Sequence, residues 1–145
     1  MLAQIKQLKV NIDDRGCLTE IFRLTDDSYG FGQAYITTCT QGVIKAWHRH
    51  KEQVDRWYCV SGAARLGLYN SESGVSQTVV LSSSVPVLVT IPAGIWHGFT
   101  PAWGYREAAI LNMPSTPYDM ENPDEDRIGP YEFNYNWNPE SRWLP

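Results

Sequence analysis

The sequence predicts an all-β fold, a barrel or sandwich of short strands, on three observations. Apolar residues almost never recur at helical spacing. Short runs rich in Val, Ile, Thr, Tyr and Trp take their place, and such side chains suit a pleated, half-buried surface. Turn residues break these runs at short intervals, the pattern of sandwiches and barrels.

The elements follow in order along the chain. Asp13-Asp14-Arg15-Gly16 is a turn in which Gly16 is free to take φ > 0, and it leads into a strand from Cys17 to Arg23. Gln33 to Thr40 and Val43 to His50 are the next two strands. Val54 to Val60 and Ala63 to Tyr69 flank Ser61-Gly62, and Asn70 to Gly74 is a polar loop. Thr78 to Leu81 and Val85 to Ile91 follow. Pro92-Ala93-Gly94 then turns the chain into Ile95 to Phe99, and Tyr105 to Leu111 closes the regular pattern.

From Asn112 onward the composition changes to Pro, Asn, acidic and aromatic residues: Pro114, Pro117, Pro123, Pro130, Pro139, Tyr131, Tyr135, Trp137 and Trp143. That is too aromatic for a free tail. It is expected to wrap across the barrel or a partner subunit, with one short helix. No repeat or linker divides the chain. The expected organisation is one domain of residues 1–145, with a barrel at about 12–112 and a wrapping segment at 113–145.

Composition narrows the function. At 43% hydrophobic and 12% aromatic, a 145-residue chain can bury a core. A net charge of −4 and a pI near 5.3 argue against nucleic acid or an anionic membrane as the partner. A local basic site for a phosphorylated small molecule stays open. No apolar run reaches the length of a membrane span, and the first ten residues lack a signal-peptide pattern, so a cytoplasmic protein is expected. Cys17, Cys39 and Cys59 form no CxxC pair and are expected to be buried, reduced thiols.

The three histidines carry the chemistry. Residues two apart on a strand share a face, so His48 and His50 project together. If the run from Val54 is the neighbouring strand, Asp55, Trp57 and Cys59 share one of its faces. His97 follows the Pro-x-Gly turn at a strand start. Two chemistries fit: a transition-metal site built from imidazoles and a carboxylate, or metal-free acid–base catalysis by histidine.

Gly42-x5-His48-x-His50-x4-Asp55-x6-Gly62 resembles the first cupin motif, with Asp55 where Glu is usual. Pro92-x-Gly94-x-x-His97 resembles the core of the second, with Pro86 and Pro101 at the places of its leading Gly and trailing Asn. The resemblance implies a cupin (RmlC-like jelly roll), a double-stranded β-barrel with an irregular C-terminal extension. From about Asp13 to Arg127 the chain is similar to cupin enzymes that act on nucleotide-linked keto-sugars. Asp14-Arg15-Gly16-x-Leu18-x-Glu20, Gln33-x-Tyr35-x-Thr37-x-Cys39-x-x-Gly42-Val43 and Ile91-Pro-Ala-Gly-Ile-Trp-His97-Gly-Phe99 resemble patterns of the dTDP-4-dehydrorhamnose 3,5-epimerases. Lys45-Ala-Trp-His48-Arg-His50-Lys51 combines their "R-G-L-H" with the "R-G-x-H-A-H-K" of the dTDP-sugar 3,4-ketoisomerases.

This resemblance implies an epimerase or isomerase of a nucleotide-linked 4-keto-6-deoxy sugar that needs no cofactor. His48 would be the proton-abstracting base and His50 its tandem partner. Asn112, six residues before the Tyr118 matched to the epimerases' Pro-Tyr, stands where they carry their catalytic tyrosine, and Tyr118 joins His48 and His50 as a candidate catalytic residue. Tyr35, Lys45 and Tyr118 are candidate donors to the enolate oxygen. Arg15, Arg23, Arg49 and Arg65 are candidates for holding diphosphate, and His97 and Asn112 for touching the substrate. The alternative enzyme would hold one divalent transition metal (Fe, Mn, Ni or Zn) on His48, His50, Asp55 and His97. A third reading is a non-catalytic cupin binding a sugar or small ligand. Cupins of this layout imply a homodimer, with Gln4 to Val10 as a strand added to the partner's sheet.

Overall fold

The computed structural model describes residues 1–138; Pro139 and Trp143 of the expected wrapping segment lie outside the described residues. The strands are β1 (Gln4–Gln7), β2 (Val10–Asp13), β3 (Gly16–Thr19), β4 (Tyr35–Thr40), β5 (Lys45–Arg49), β6 (Asp55–Asn70), β7 (Val75–Ser82), β8 (Val87–Ile91), β9 (Trp96–Pro101), β10 (Glu107–Asn112) and β11 (Asp126–Arg127). The one helical element among the described residues is a 3-10 turn at Leu24–Asp26.

The pairings are antiparallel and divide between two faces of a barrel. One face runs β1-β8-β6-β10-β4, using the first half of β6, and the other runs β7-β6-β9-β5-β11, using its second half. The two runs expected on either side of Ser61-Gly62 are therefore one strand, β6, that passes from one sheet to the other. Its pairing with β10 steps from Ala109↔Ser61 to Ile110↔Cys59, leaving Val60 as a bulge. Bulges of this kind bend a strand and sharpen its twist. The bulge also switches which positions face the core: Trp57 and Cys59 before it, Ala64, Leu66 and Leu68 after it. Leu81, Val89, Ile91, Phe99 and Ile110 close the same core from the other strands.

Gly62 completes the bend. It has φ +71, and a Cβ there would lie 2.2 Å from the carbonyl oxygen of Glu107. Gly62→Ala is expected to cost more than about 1 kcal/mol in urea unfolding, because both the backbone conformation and the space are wrong for alanine. An unchanged midpoint would contradict this account of the bend.

Over its described residues the C-terminal segment folds without the expected short helix. Its prolines withhold backbone donors, and its free backbone groups pair with β5 instead. Trp47 N donates to Ile128 O at 2.9 Å and Ile128 N to Trp47 O at 3.1 Å. Beyond β11, Phe133, Tyr135 and Trp137 cover Trp47, Tyr69 and Trp96 on the outside of the barrel. The indole N–H groups of Trp47 and Trp137 both donate to the carbonyl of Pro130, at 3.1 and 3.0 Å. This second apolar layer buries Trp47, while its neighbour His48 points inward.

Two expectations for the N-terminal region need correction. The strand expected over Gln4 to Val10 forms only at Gln4–Gln7, and it pairs with this chain's own β8, Gln4 opposite Thr90 and Gln7 opposite Val87. Leu8, buried with Leu88 and Met113, anchors it there. Cys17 is exposed rather than buried, because β2 and β3 form a separate two-stranded hairpin. Ile12 and Leu18 of this hairpin are 77% and 64% exposed. Cys39 and Cys59 are buried free thiols, as expected.

Candidate active site

The site begins at β5 and β9. The strand beside β5 is β9 and not the run from Val54: His48 lies opposite His97, and His97 in turn opposite Leu68 of β6. The expected face-sharing within β6 nonetheless holds: Trp57 and Cys59 pack in one core and Asp55 meets His97, while Arg56 between them turns the other way to Asp27. The three histidines converge. The His48 and His97 rings are 4.3 Å apart, His50 and His97 5.6 Å, and His48 and His50 6.3 Å.

Asp55 organises the floor of the site. Its Oδ2 lies 3.1 Å from His97 Nε2 and 3.4 Å from His50 Nε2. Its Oδ1 accepts a hydrogen bond from Gln53 Nε2 at 2.7 Å. Burial opposes its ionisation, but the hydrogen bonds and charge of His50 and His97 outweigh this and hold the carboxyl well below the usual carboxylate range. The outer nitrogens of the same two histidines meet backbone oxygens: His97 Nδ1 faces Ile95 O at 2.9 Å, and His50 Nδ1 faces Asp124 O. Burial alone would lower the His50 pKa, yet the bond to Asp55 and that carboxylate's charge raise it above its ordinary value.

His48 is the opposite case. Burial, and then the neighbouring His97, push its pKa well below the ordinary histidine value, and Asp55 offsets only part of this. At neutral pH it is an uncharged imidazole with a lone pair, a base in waiting. The shift has a stability consequence. Unfolded His48 takes up a proton near pH 6.5, while folded His48 does so only at lower pH. Protons therefore favour the unfolded chain in that interval. Between pH 7 and pH 5 the urea midpoint of the native chain is expected to fall more than that of His48→Gln. Parallel declines would contradict this.

A chamber of about 450 Å³ opens over His48 and His50. Tyr35, Thr37, Lys45, Trp57, Phe99 and Asn112 line it from the barrel, and Glu125, Arg127 and Ile128 from the C-terminal segment. Asn112 donates from Nδ2 to Tyr35 Oη at 2.9 Å. Burial, reinforced by the charge of Asp55, raises the Tyr35 pKa despite that bond, so the phenol keeps its proton. Lys45 Nζ is tied to Thr37 Oγ1 at 3.1 Å. The Trp57 indole N–H is buried with no acceptor among the described residues.

Of the expected site residues, His48, His50, Tyr35, Lys45 and Asn112 therefore share one chamber. The others lie elsewhere. His97 is buried behind His48 and absent from the chamber wall, held there by Asp55 and Ile95. Tyr118 is 53% exposed and outside the lining; the phenol inside is that of Tyr35. Arg15 pairs with Asp13 on the hairpin, and Arg23 with Glu20. Arg49 pairs with Asp126 at 2.6 Å and stacks over Trp96. Arg65 donates to Asn136 O and faces Tyr135. None of these four lines the chamber; each is engaged by a local acid or by the C-terminal segment.

The arginine that does line it is Arg127, paired with Glu125 at 2.8 Å. Sequence reading missed both. Their one signal is the alternation in Glu125-Asp126-Arg127, where residues 125 and 127 face the chamber and Asp126 takes Arg49. The metal reading keeps three of its four residues. His50, Asp55 and His97 offer ligand atoms within 4.8 Å of one another, and His48 is not in the group.

The family described as polysaccharide biosynthesis C-terminal domain matches residues 11–125. The chain is 36% identical over 148 residues to a probable low-salt glycan biosynthesis epimerase, Agl13, of Haloferax volcanii, covering 94% of each. It is 32% identical to the spore coat polysaccharide biosynthesis protein SpsL of Bacillus subtilis, covering 96% of this chain and 97% of that one. Among solved structures it resembles a dTDP sugar isomerase from Desulfovibrio desulfuricans, with a TM-score of 0.81 and 23% identity over 93% of this chain and 90% of the other. NovW, a 4-keto-6-deoxy sugar epimerase from Streptomyces spheroides, gives the same TM-score at 19% identity, over 99% of this chain and 78% of its own. The fold is thus the RmlC-like cupin barrel that the motifs imply.

Proposed function

The chain belongs to the polysaccharide biosynthesis C-terminal domain family, and from that premise we propose that it is an epimerase or isomerase of nucleotide-linked 4-keto-6-deoxy sugars. One observation carries the reading: the imidazole of His48 and the phenol of Tyr35 line the same chamber, where burial favours the uncharged form of each. A carbonyl acidifies the hydrogen on its neighbouring carbon. His48 takes that proton, and the electron pair moves onto the carbonyl oxygen as an enolate. Tyr35 or the Trp57 indole N–H donates to that oxygen. Return of a proton to the opposite face of the same carbon inverts it; alternatively the enolate oxygen takes up a proton, the hydroxyl on the deprotonated carbon gives one up, and protonation of the former carbonyl carbon leaves the ketone moved by one position. His50, beside His48 and bonded to Asp55, suits the second step. Arg127 and Lys45 are the cations available to a diphosphate.

The test is deuterium exchange. In D2O, NMR of a panel of such sugars is expected to record loss of the hydrogen next to the ketone in the presence of the protein. Absence of exchange across the panel would remove this reading.

One observation favours a second reading. The Nε2 atoms of His50 and His97 converge on Asp55 Oδ2, while their Nδ1 atoms rest on backbone carbonyls. That donor set fits a divalent transition metal, which would supply a Lewis acid at the chamber floor. Elemental analysis of protein purified without chelator separates the two readings, a stoichiometric metal favouring the second.

The exposed apolar side chains of the β2–β3 hairpin support a homodimer, which size-exclusion chromatography tests. The three free cysteines support a reducing, cytoplasmic setting.

A further inference from the structure

We propose that Asp124 is a positioning residue for His50; the inference rests on reading His50 and Asp55 as part of the working site. After β5 the chain turns through Lys51, Glu52 and Gln53, whose backbone N–H groups find no strand partner. The Asp124 carboxylate accepts all three, at 2.8 Å to Lys51, 2.9 Å to Glu52 and 2.9 Å to Gln53. Successive N–H groups pointing to one spot form a ready seat for an anion, and here a side chain from 71 to 73 residues downstream fills it. The same residue's carbonyl oxygen accepts the Nδ1–H of His50.

The two contacts act together. Fixing the loop to the carboxylate fixes where the carbonyl of residue 124 can sit. The carbonyl in turn fixes the ring of His50, so that Nε2 and not Nδ1 is directed at Asp55. The third N–H in the seat belongs to Gln53, whose side chain holds the other oxygen of Asp55. Asp124 thus governs both ends of the His50–Asp55 contact without touching the chamber itself. Removing its carboxylate frees the loop and the ring at once. Misplacement of a working group by about 1 Å can cost on the order of 100-fold in rate.

The test needs no substrate for its first arm. NMR of the full chain is expected to contain an exchange-protected imidazole proton, assigned to His50 Nδ1–H by its absence in His50→Gln. Asp124→Ala is expected to lose that resonance. Asp124→Asn, which keeps one acceptor oxygen, is expected to retain it with faster solvent exchange. In the second arm, kcat for proton exchange on a sugar turned over by the native chain is expected to fall roughly 10- to 100-fold in Asp124→Ala, with KM little changed.

Persistence of the resonance in Asp124→Ala, with or without activity, overturns the proposal. If Asp124→Ala does not fold, Asp124→Asn decides. Native exchange protection and native kcat in that variant overturn it, and faster exchange with lower kcat supports it. Because the first arm reads His50 directly, failure on every sugar tested counts against the proposed activity and not against the role of Asp124.

Discussion

His48→Gln is expected to lower the rate of hydrogen exchange next to the substrate ketone by roughly 10²- to 10⁴-fold, the range typical for loss of a positioned general base. Glutamine preserves most of the bulk and polarity on the chamber wall but offers no basic nitrogen. The loss should therefore fall on kcat, with KM changing little. The same residue sets the pH profile. Only uncharged His48 can accept the proton, and burial beside His97 holds its pKa well below the ordinary value. The acid limb of the native rate should then lie clearly below pH 6.5. His50→Gln should lower exchange less than His48→Gln but at least as much as Asp124→Ala, roughly 10- to 100-fold, because it removes the ring that Asp55 and Asp124 hold in place. Native rates from His48→Gln would move the base elsewhere and leave the chamber as a binding pocket.

The second large effect concerns stability. Arg56 is fully buried. Its guanidinium bonds Asp27 through Nε at 2.6 Å and Nη2 at 2.8 Å, and reaches the carbonyls of Gly30 and Met113 at 2.9 and 3.0 Å. It also lies 4.6 Å from the centre of the Phe22 ring. One side chain thus ties the long connection between β3 and β4 to the barrel. Arg56→Ala strands Asp27, unpairs two carbonyls and leaves a void. The expected cost is ~3–5 kcal/mol, as for other broken buried ion pairs. At ~2–4 °C of Tm per kcal/mol for chains of this size, calorimetry should find a drop on the order of 10 °C. Lysine should not restore it, since it lacks the planar fork that spans Asp27 and the carbonyls. A loss below about 1 kcal/mol would mean that the connection is held by other contacts.

Much of this was legible in the sequence, for identifiable reasons. His48 and His50 share the chamber because strand alternation is local, and His97 follows a turn whose Pro and Gly mark it plainly. The barrel is legible for the same reason, since short β-branched runs between turns have few other ways to bury one face. What escaped depends on long-range pairing. Asp124, Glu125 and Arg127 reach the site only because Trp47 pairs with Ile128, His48 with Arg127 and Arg49 with Asp126, and no spacing records that registry. The four expected phosphate-binding arginines lie off the chamber for a similar reason, each engaged by a partner that composition cannot assign. Ser61-Gly62 reads as a turn between strands because a bulged, bent strand and a tight turn ask for similar residues.

The bulge at Val60 has a practical consequence for comparing and redesigning this chain. Before it, odd-numbered positions of β6 look into the barrel; after it, even-numbered ones do. Any substitution pattern that assumes a constant two-residue rhythm from Asp55 to Asn70 will put charge into the interior on one side of residue 60. A deletion of that single residue would bring both inward-facing sets onto one two-residue rhythm, and would remove the extra residue that bends the strand from one sheet into the other. Pairwise matching of β6 with more distant barrels should accordingly allow a one-residue gap there, since the count of residues is preserved on each side but not across it.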